Sequence, residues 1–339
     1  MASFATFGNE LYTGKRSYDF VASKKIWFLV AAVAVALSIL LPIAKGGFNL
    51  GIEFRGGSEF TVSNVKTTDA TVGEKAVTDV VPGSVPRVAN VAGTTMRIQT
   101  DKLTDEDTLK IKDGLTTAYG VTDNEVTSTF VGPTWGADVT KQALLGLLVF
   151  VGLAAVLMAL YFRTWKMSLS ALAGMLVTMF ITAGVYSLSD FEVTPSAIIG
   201  FLTVLSYSLY DTVVVFDKIR ENTAELQAST RRTFAEEVNL AVNQTLVRSI
   251  NTMMVAILPV GAILFIGAGL LGAGTLRDLS LALFVGILIG TAATIFVAAP
   301  LYAWLRQSEP DLVKQAKRVE QRRAEAAAKA ASEATPATA

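Results

Sequence analysis

The chain has 339 residues, 52% hydrophobic and 17% charged, against roughly 25% charged in an average soluble domain, so the bilayer is read as its main solvent. A formal net charge of zero leaves no bulk electrostatic case for a nucleic-acid partner. Neither Cys nor His is present, which excludes disulfides, thiol chemistry and the side chain that ordinarily titrates near neutral pH. Any proton chemistry has to use carboxylates, with Lys, Arg or Tyr as partners.

Residues 1–25 are polar and mixed in character and carry Lys15, Arg16, Lys24 and Lys25. A membrane span needs about 20 mostly apolar residues, and the first such stretch is 26–44. It reads as an uncleaved anchor, because no small-residue cleavage site follows it.

Residues 45–141 then form one domain outside the bilayer, with the order β-α-β-β-α-β. A strand is expected over 54–65, broken by Gly56 and Gly57, and a helix over 71–80 with Thr71 and Glu74 in capping-box spacing. Segments 87–92 and 95–100 flank Gly93 as a hairpin. A second helix covers 104–119 with Gly120 as its stop, and a closing strand covers 125–131. This is the ferredoxin-like split pattern. It holds no nucleophile–base pair and no phosphate loop, so the domain reads as one for binding or coupling.

Five further spans are expected at 142–162, 167–188, 194–216, 250–271 and 279–305, giving an α-helical polytopic membrane protein of six spans with one α+β domain. Lys and Arg fix the orientation. Arg163 and Lys166, the loop 217–247 with Lys218, Arg220, Arg231 and Arg232, and the tail with Arg306, Lys314, Lys317, Arg318, Arg322 and Arg323 all share the side of the N-terminus. The opposite turns hold Asp190 and Glu192, and Arg277 beside Asp278. Both termini are therefore expected in the cytoplasm. The tail, 306–339, reads as a frayed helix followed by disorder, and its basic residues as positive-inside charges rather than a surface for lipid or RNA.

The fourth span contains Asp211. A charge at mid-span costs at least about 2.5–3.5 kcal/mol. Asp211 lies six residues inside Asp217, roughly 9 Å deep at about 1.5 Å per residue, too far for its short side chain to reach the interface. Tyr207 and Ser208 share its helical face. On the next span, Gln244, Arg248, Asn251 and Thr252 form a second polar stripe. Arg248 is placed at a depth like that of Asp211, so a pair of opposite charges is one reading, and a positive-inside anchor is the other. Asp211 itself reads either as a proton relay or as half of a static ion pair. After the fourth span, Asp217 with Arg220 and Lys218 with Glu221 sit at pairing distance along a helix. Gly286 and Gly290 form a GxxxG, read as helix packing, and Gly261, Gly267, Gly269, Gly272 and Gly274 loosen the far end of the fifth span.

Four blocks in order carry a resemblance to a known family: Gly51-Ile52-Glu53-Phe54-Arg55-Gly56-Gly57; Val131-Gly132-Pro133; the run from Tyr207 through Asp211-Thr212 to Asn222; and Asn243-Gln244-Thr245-Leu246 followed by Arg248-Ser249-Ile250-Asn251-Thr252. Over about residues 20–305 the chain resembles the SecF family, RND-related membrane subunits of bacterial protein export. It departs from the family pattern at Glu53, where Asp is usual, at Ser206 and Tyr210, where Gly and Asn are usual, and at Lys218, where Arg is usual. The resemblance implies a subunit of the bacterial inner membrane that pairs with SecD and uses the proton motive force to promote preprotein translocation through the SecYEG channel at a late stage. It also implies that Asp211 and Arg248 couple protons, with Thr252 in support. Expected partners are SecD, SecYEG, translocating preproteins and membrane lipid, with no nucleic acid, cofactor or metal and no enzyme chemistry. Two other classes remain open: an RND-like exporter of lipid or small molecules independent of SecYEG, and an assembly scaffold in which Asp211 and Arg248 are a static pair.

Overall fold

The computed structural model describes residues 4–162, 164–189, 191–268 and 274–334. Arg163, Asp190, Gly269, Gly272 and the last five residues of the tail lie outside them. Among the described residues six helices are long and apolar enough to cross a membrane: Lys24–Ala44, Pro133–Phe162, Trp165–Leu188, Pro195–Thr223, Phe234–Gly267 and Leu276–Arg306.

In chain order the helices are α1 (Phe4–Tyr12), α2 (Lys24–Ala44), α3 (Ile52–Arg55), α4 (Ala70–Thr78), α5 (Asp105–Tyr119), α6 (Pro133–Phe162), α7 (Trp165–Leu188), α8 (Pro195–Thr223), α9 (Phe234–Ala262), α10 (Gly274–Ala293), α11 (Ala299–Arg306) and α12 (Pro310–Ala334). Their ends follow local chemistry. Thr194 caps α8 by accepting from the Ala197 N–H, with Pro195 in the first turn, where its missing N–H is harmless. Thr233 and Glu236 close a capping box on α9, so this helix begins well before the apolar stretch at 250. The fifth span is thus the membrane part of a longer helix. The sixth runs from α10 through a π turn (Thr294–Ala298) into α11.

Helices α7, α8 and α10 make the centre of the bundle, while α2 and α6 are peripheral and leave most of their apolar surface exposed for lipid. Small residues set the close crossings. A Cβ on Gly286 would stand 2.5 Å from the Val204 methyls, and one on Gly290 would stand 3.2 Å from the Ser208 Cβ, so the GxxxG presses α10 against α8. At the end of the bundle nearer the chain termini, Phe162, Phe216, Phe234 and Tyr302 pack into an aromatic core.

At the other end sits the sheet domain, with strands β1 (Gly57–Val62), β2 (Arg87–Ala92), β3 (Thr95–Thr100) and β4 (Val126–Val131). They pair antiparallel in the order β2-β3-β1-β4, and the core between them and α4 and α5 holds Phe60, Val62, Met96, Ile98, Ile111 and Leu115. Two expectations are corrected. The first strand begins only at Gly57, because Ile52–Arg55 close a helical turn and Gly56 and Gly57 take φ of 77° and 136°, values that favour glycine. Helix α4 is capped by Asp69, not Thr71: the Asp69 carboxylate accepts from the Thr71 N–H and hydroxyl at 3.0 and 2.8 Å.

The tail also differs from its expected frayed form. Helix α12 docks Leu312, Gln315 and Val319 against the α8–α9 connection. Arg318 and Arg323 donate to Gln227, Arg231 and Glu236, so these charges are spent on protein groups.

Candidate functional site

Asp211 sits on the inward face of α8 and is 3% exposed. One carboxylate oxygen, Oδ1, accepts from the Ser249 hydroxyl on α9 at 2.8 Å. The other, Oδ2, is buried and has no hydrogen-bond partner among the described residues. Ser249 is 1% exposed, so the two helices meet across this bond.

Around it the bundle centre is lined with hydroxyls. Tyr207, one turn before Asp211, points its buried hydroxyl towards Thr291 of α10. Ser208 lies 3.4 Å from the Thr178 hydroxyl of α7. The Thr212 hydroxyl bonds the Ser208 carbonyl at 2.9 Å and meets the Thr294 hydroxyl at 2.9 Å. Thr178, Thr182 and Thr294 return their own hydroxyls to carbonyls one turn back, which spares each the cost of an unbonded donor. Thr294 opens the π turn of the sixth span. Such turns leave a local irregularity in the helix ladder and recur at functional sites.

The polar stripe on α9 faces elsewhere. Arg248 and Asn251 are exposed. Arg248 lies in electrostatic range of Asp211 but makes neither a hydrogen bond nor an ion pair with it. The ion pair, one of the two readings of Arg248, is therefore not made, and Asp211 bonds Ser249 instead. Thr252 bonds the Arg248 carbonyl of its own helix at 2.9 Å. Gln244 joins its carbonyl oxygen to the Asn222 amide and donates to the Tyr12 carbonyl, which ties α9 to α8 and to the N-terminal segment. Asp217 pairs with Arg220 at 3.5 Å and accepts from the Tyr161 hydroxyl at 2.6 Å, and Lys218 pairs with Glu221 at 2.7 Å. These lie at the exposed end of α8, apart from the buried carboxylate.

Sequence reasoning missed Ser249, Thr178, Thr182, Thr291 and Thr294. Ser249 had a signal: with Thr245, four residues earlier, it marks a small polar face beside the Arg248 face, and Thr245 too is buried.

A bundle of six spans with an acid at its centre and a small antiparallel domain at one end has known relatives. A family model described as "Protein export membrane protein SecD/SecF, C-terminal" matches residues 111–308, and one described as "SecD/SecF GG Motif" matches residues 43–63. The chain is 40% identical over 330 residues to protein translocase subunit SecF of Streptomyces coelicolor, covering 97% of this chain and 87% of that one. It is 41% identical over 328 residues to protein translocase subunit SecF of Mycobacterium tuberculosis, covering 94% and 74%. The crystal structure of SecDF, a translocon-associated membrane protein from Thermus thermophilus, superposes with a TM-score of 0.76 at 28% identity, over 86% of this chain and 39% of that one. The chain belongs to the SecD/SecF family of protein-export membrane proteins, as a SecF-type translocase subunit of six spans.

Proposed function

We propose that this subunit pairs with SecD in the bacterial inner membrane, both termini cytoplasmic, and uses the proton motive force to promote preprotein translocation through SecYEG at a late stage. The observation that carries this reading is the Asp211 carboxyl, buried in the bundle with one oxygen on Ser249 and the other without a partner. A group fixed at one oxygen and free at the other can take up a proton without dismantling its own support. Its uptake and release would alter the α8–α9 contact, and α8 continues to the sheet-domain end of the bundle at Thr194. Arg248 tunes the site by its charge, and Thr252 holds the α9 turn beneath it.

The partner half is argued from what α8 and α9 leave uncovered. Tyr210 of α8 is 56% exposed, and Arg248 and Asn251 of α9 are exposed too. Polar and charged groups at this depth are costly against lipid. A second bundle bringing its own polar face would cover them, and the SecDF relative is long enough to hold such a half beyond the 39% matched here. One proton moved across 100 mV supplies about 2.3 kcal/mol, so several cycles per preprotein are needed.

The test is Asp211→Asn in cells that depend on this subunit. The expected result is an assembled SecD-containing complex at normal level with export reduced to that of cells lacking the subunit. Normal export by the variant would remove the proton-coupled role. Loss of the protein itself would favour a static structural acid. Purification of the wild-type chain without SecD or SecY would favour an exporter independent of SecYEG.

A further inference from the structure

The joint between the sheet domain and the bundle buries a second set of charges, far along the chain from Asp211. Arg97 of β3, with 16% of its side chain exposed, leaves the sheet and pairs with Glu192 in the α7–α8 connection at 2.7 Å. It also lies 3.6 Å from Glu59 of β1. The Gln99 amide donates to both Glu59 and Glu192. Glu53 of α3 turns its Oε2 into the same place, buried and without a hydrogen-bond partner. The Glu53 and Glu192 carboxyl oxygens both crowd Gly51: a Cβ there would collide with the first and stand 3.1 Å from the second. Three carboxyl groups thus face one guanidinium.

Other charges surround this joint. Asp278, at the head of α10, accepts from the Thr194 hydroxyl at 3.1 Å and places a further carboxyl near Arg97. Arg277 is spent on the carbonyls of Val91 and Asn90. Arg87 of β2 donates to Asn49, and its charge opposes that of Arg55, which is exposed and lies in electrostatic range of Glu192. Asp101 adds a carboxylate on the Arg55 side.

The geometry also says what this cluster joins. Asn49, Leu50 and Gly51 pair with Val193 through the Gly51 N–H to the Val193 carbonyl at 3.0 Å and the Val193 N–H to the Asn49 carbonyl at 2.8 Å. Glu53 follows on the domain side and Glu192 precedes on the bundle side. Any movement of the domain off the bundle must separate Arg97 from Glu192.

We propose that Glu53, Glu192 and Arg97 form a proton-sensitive latch, which holds the sheet domain on the bundle while Glu53 is protonated and loosens when Glu53 ionises. The latch does not require Asp211 to carry protons. Burial first, then the charges of Glu192 and Glu59, push the Glu53 carboxyl above the ordinary carboxylate range. The sign follows from linkage: the docked state binds the proton more tightly than the undocked state does, so docking is strongest at low pH. It weakens as pH rises from the ordinary glutamate value through the raised one. A protonated Glu53 leaves the Arg97–Glu192 pair intact, and an ionised one adds a further negative charge to the carboxylates already around Arg97.

The test uses the full chain in phosphatidylglycerol–phosphatidylethanolamine nanodiscs. Because the chain has no Cys, Val85→Cys in the sheet domain and Leu148→Cys on α6, both exposed, take spin labels for pulsed distance measurement. As pH is raised from the ordinary glutamate value of about 4.3 to about 8, a single distance at the acid end is expected to give way to a growing second population. Glu53→Gln, neutral at every pH and of the same shape, is expected to keep the single distance throughout. Glu192→Gln, which takes the bridging charge from Arg97, is expected to show the second population at every pH. A wild-type distance that does not change with pH, a Glu53→Gln variant that opens as the wild type does, or a Glu192→Gln variant that stays closed would each overturn the latch. Export assays on Glu53→Gln and Asp211→Asn separate this idea from the proton-coupling reading, since a latch can fail while Asp211 still couples.

Discussion

Ser249 gives Asp211 its single hydrogen bond among the described residues, and that makes the pair measurable. Removing one partner of a buried hydrogen bond leaves the other to bear its desolvation cost, about 1–3 kcal/mol and more for a charged group. Ser249→Ala is therefore expected to lower the unfolding midpoint in detergent, and Asp211→Asn to lower it less, because the amide still accepts from Ser249 through its carbonyl. Combining Asp211→Ala with Ser249→Ala is expected to cost less than the sum of the two singles, with a coupling of about 0.5–3 kcal/mol. Strict additivity would show that the contact does not exist in the detergent-solubilised protein. Asp211 was legible in the sequence because a carboxylate in an apolar run breaks a solvation rule that few residues break without function. Its partner was not. Successive residues on a helix are about 100° apart, so Arg248 and Ser249 point to different faces. Spacing alone does not say which face meets α8. That is decided by the small side chains that let α8 and α9 approach, and only the packed bundle displays it.

Between elements, the close crossing of α8 and α10 rests on absent side chains. A Cβ on Gly286 meets Val204 at 2.5 Å, whereas one on Gly146 of α6 meets nothing within 4 Å. Overpacking a tight site costs about 1–3 kcal/mol, while Gly to Ala in an open helix interior gains roughly 0.5–1 kcal/mol. Gly286→Ala is therefore expected to lower the thermal midpoint and Gly146→Ala to leave it unchanged or raise it, both read by unfolding in the same detergent. The reverse order would mean that α8 and α10 sit further apart. Element order was the most legible part of the fold, since the domain's alternating patterns and the GxxxG each state a local rule. The π turn at Thr294–Ala298 was not legible. Pro300 follows it, and a proline ring crowds the carbonyl four residues back, here that of Phe296 inside the turn. Widening the helix at that point relieves the crowding and brings Thr294 to the polar centre. No periodicity in the sequence announces this.

At the scale of the whole molecule, both chain ends clasp the same helix. Asn239 of α9 accepts from the Phe20 and Val21 N–H groups and donates to the Tyr18 carbonyl, and Asn243 bonds Tyr18 from both sides. From the other end, α12 buries Gln315, whose amide donates to the Ser229 and Arg232 carbonyls at 3.2 and 2.8 Å. Arg323 reaches Glu236 through two nitrogens at 2.9 and 2.8 Å, on the same carboxylate that closes the α9 capping box. The Arg323 hydrogen bond, helped by the cap, holds Glu236 below the ordinary carboxylate range. Its contribution is therefore full above that range and is lost as pH falls through the lowered value. With the pair about half exposed, solvent screens it and it contributes little. Gln315 is different, being fully buried. Gln315→Ala strips two carbonyls of their donor, a loss of about 1–3 kcal/mol, and each 1.4 kcal/mol multiplies the open population about tenfold. When reclosing is fast, cleavage follows that population. Trypsin is therefore expected to cut Gln315→Ala at Lys314 and Arg318 about ten to a hundred times faster than the wild type, read by mass spectrometry of the full chain in nanodiscs. Cutting at Lys329, an exposed residue about four turns beyond Gln315, is expected to accelerate far less, because the lost bonds lie at the start of the helix. Equal acceleration at all three sites would mean that the whole helix unravels instead of lifting from the α8–α9 connection.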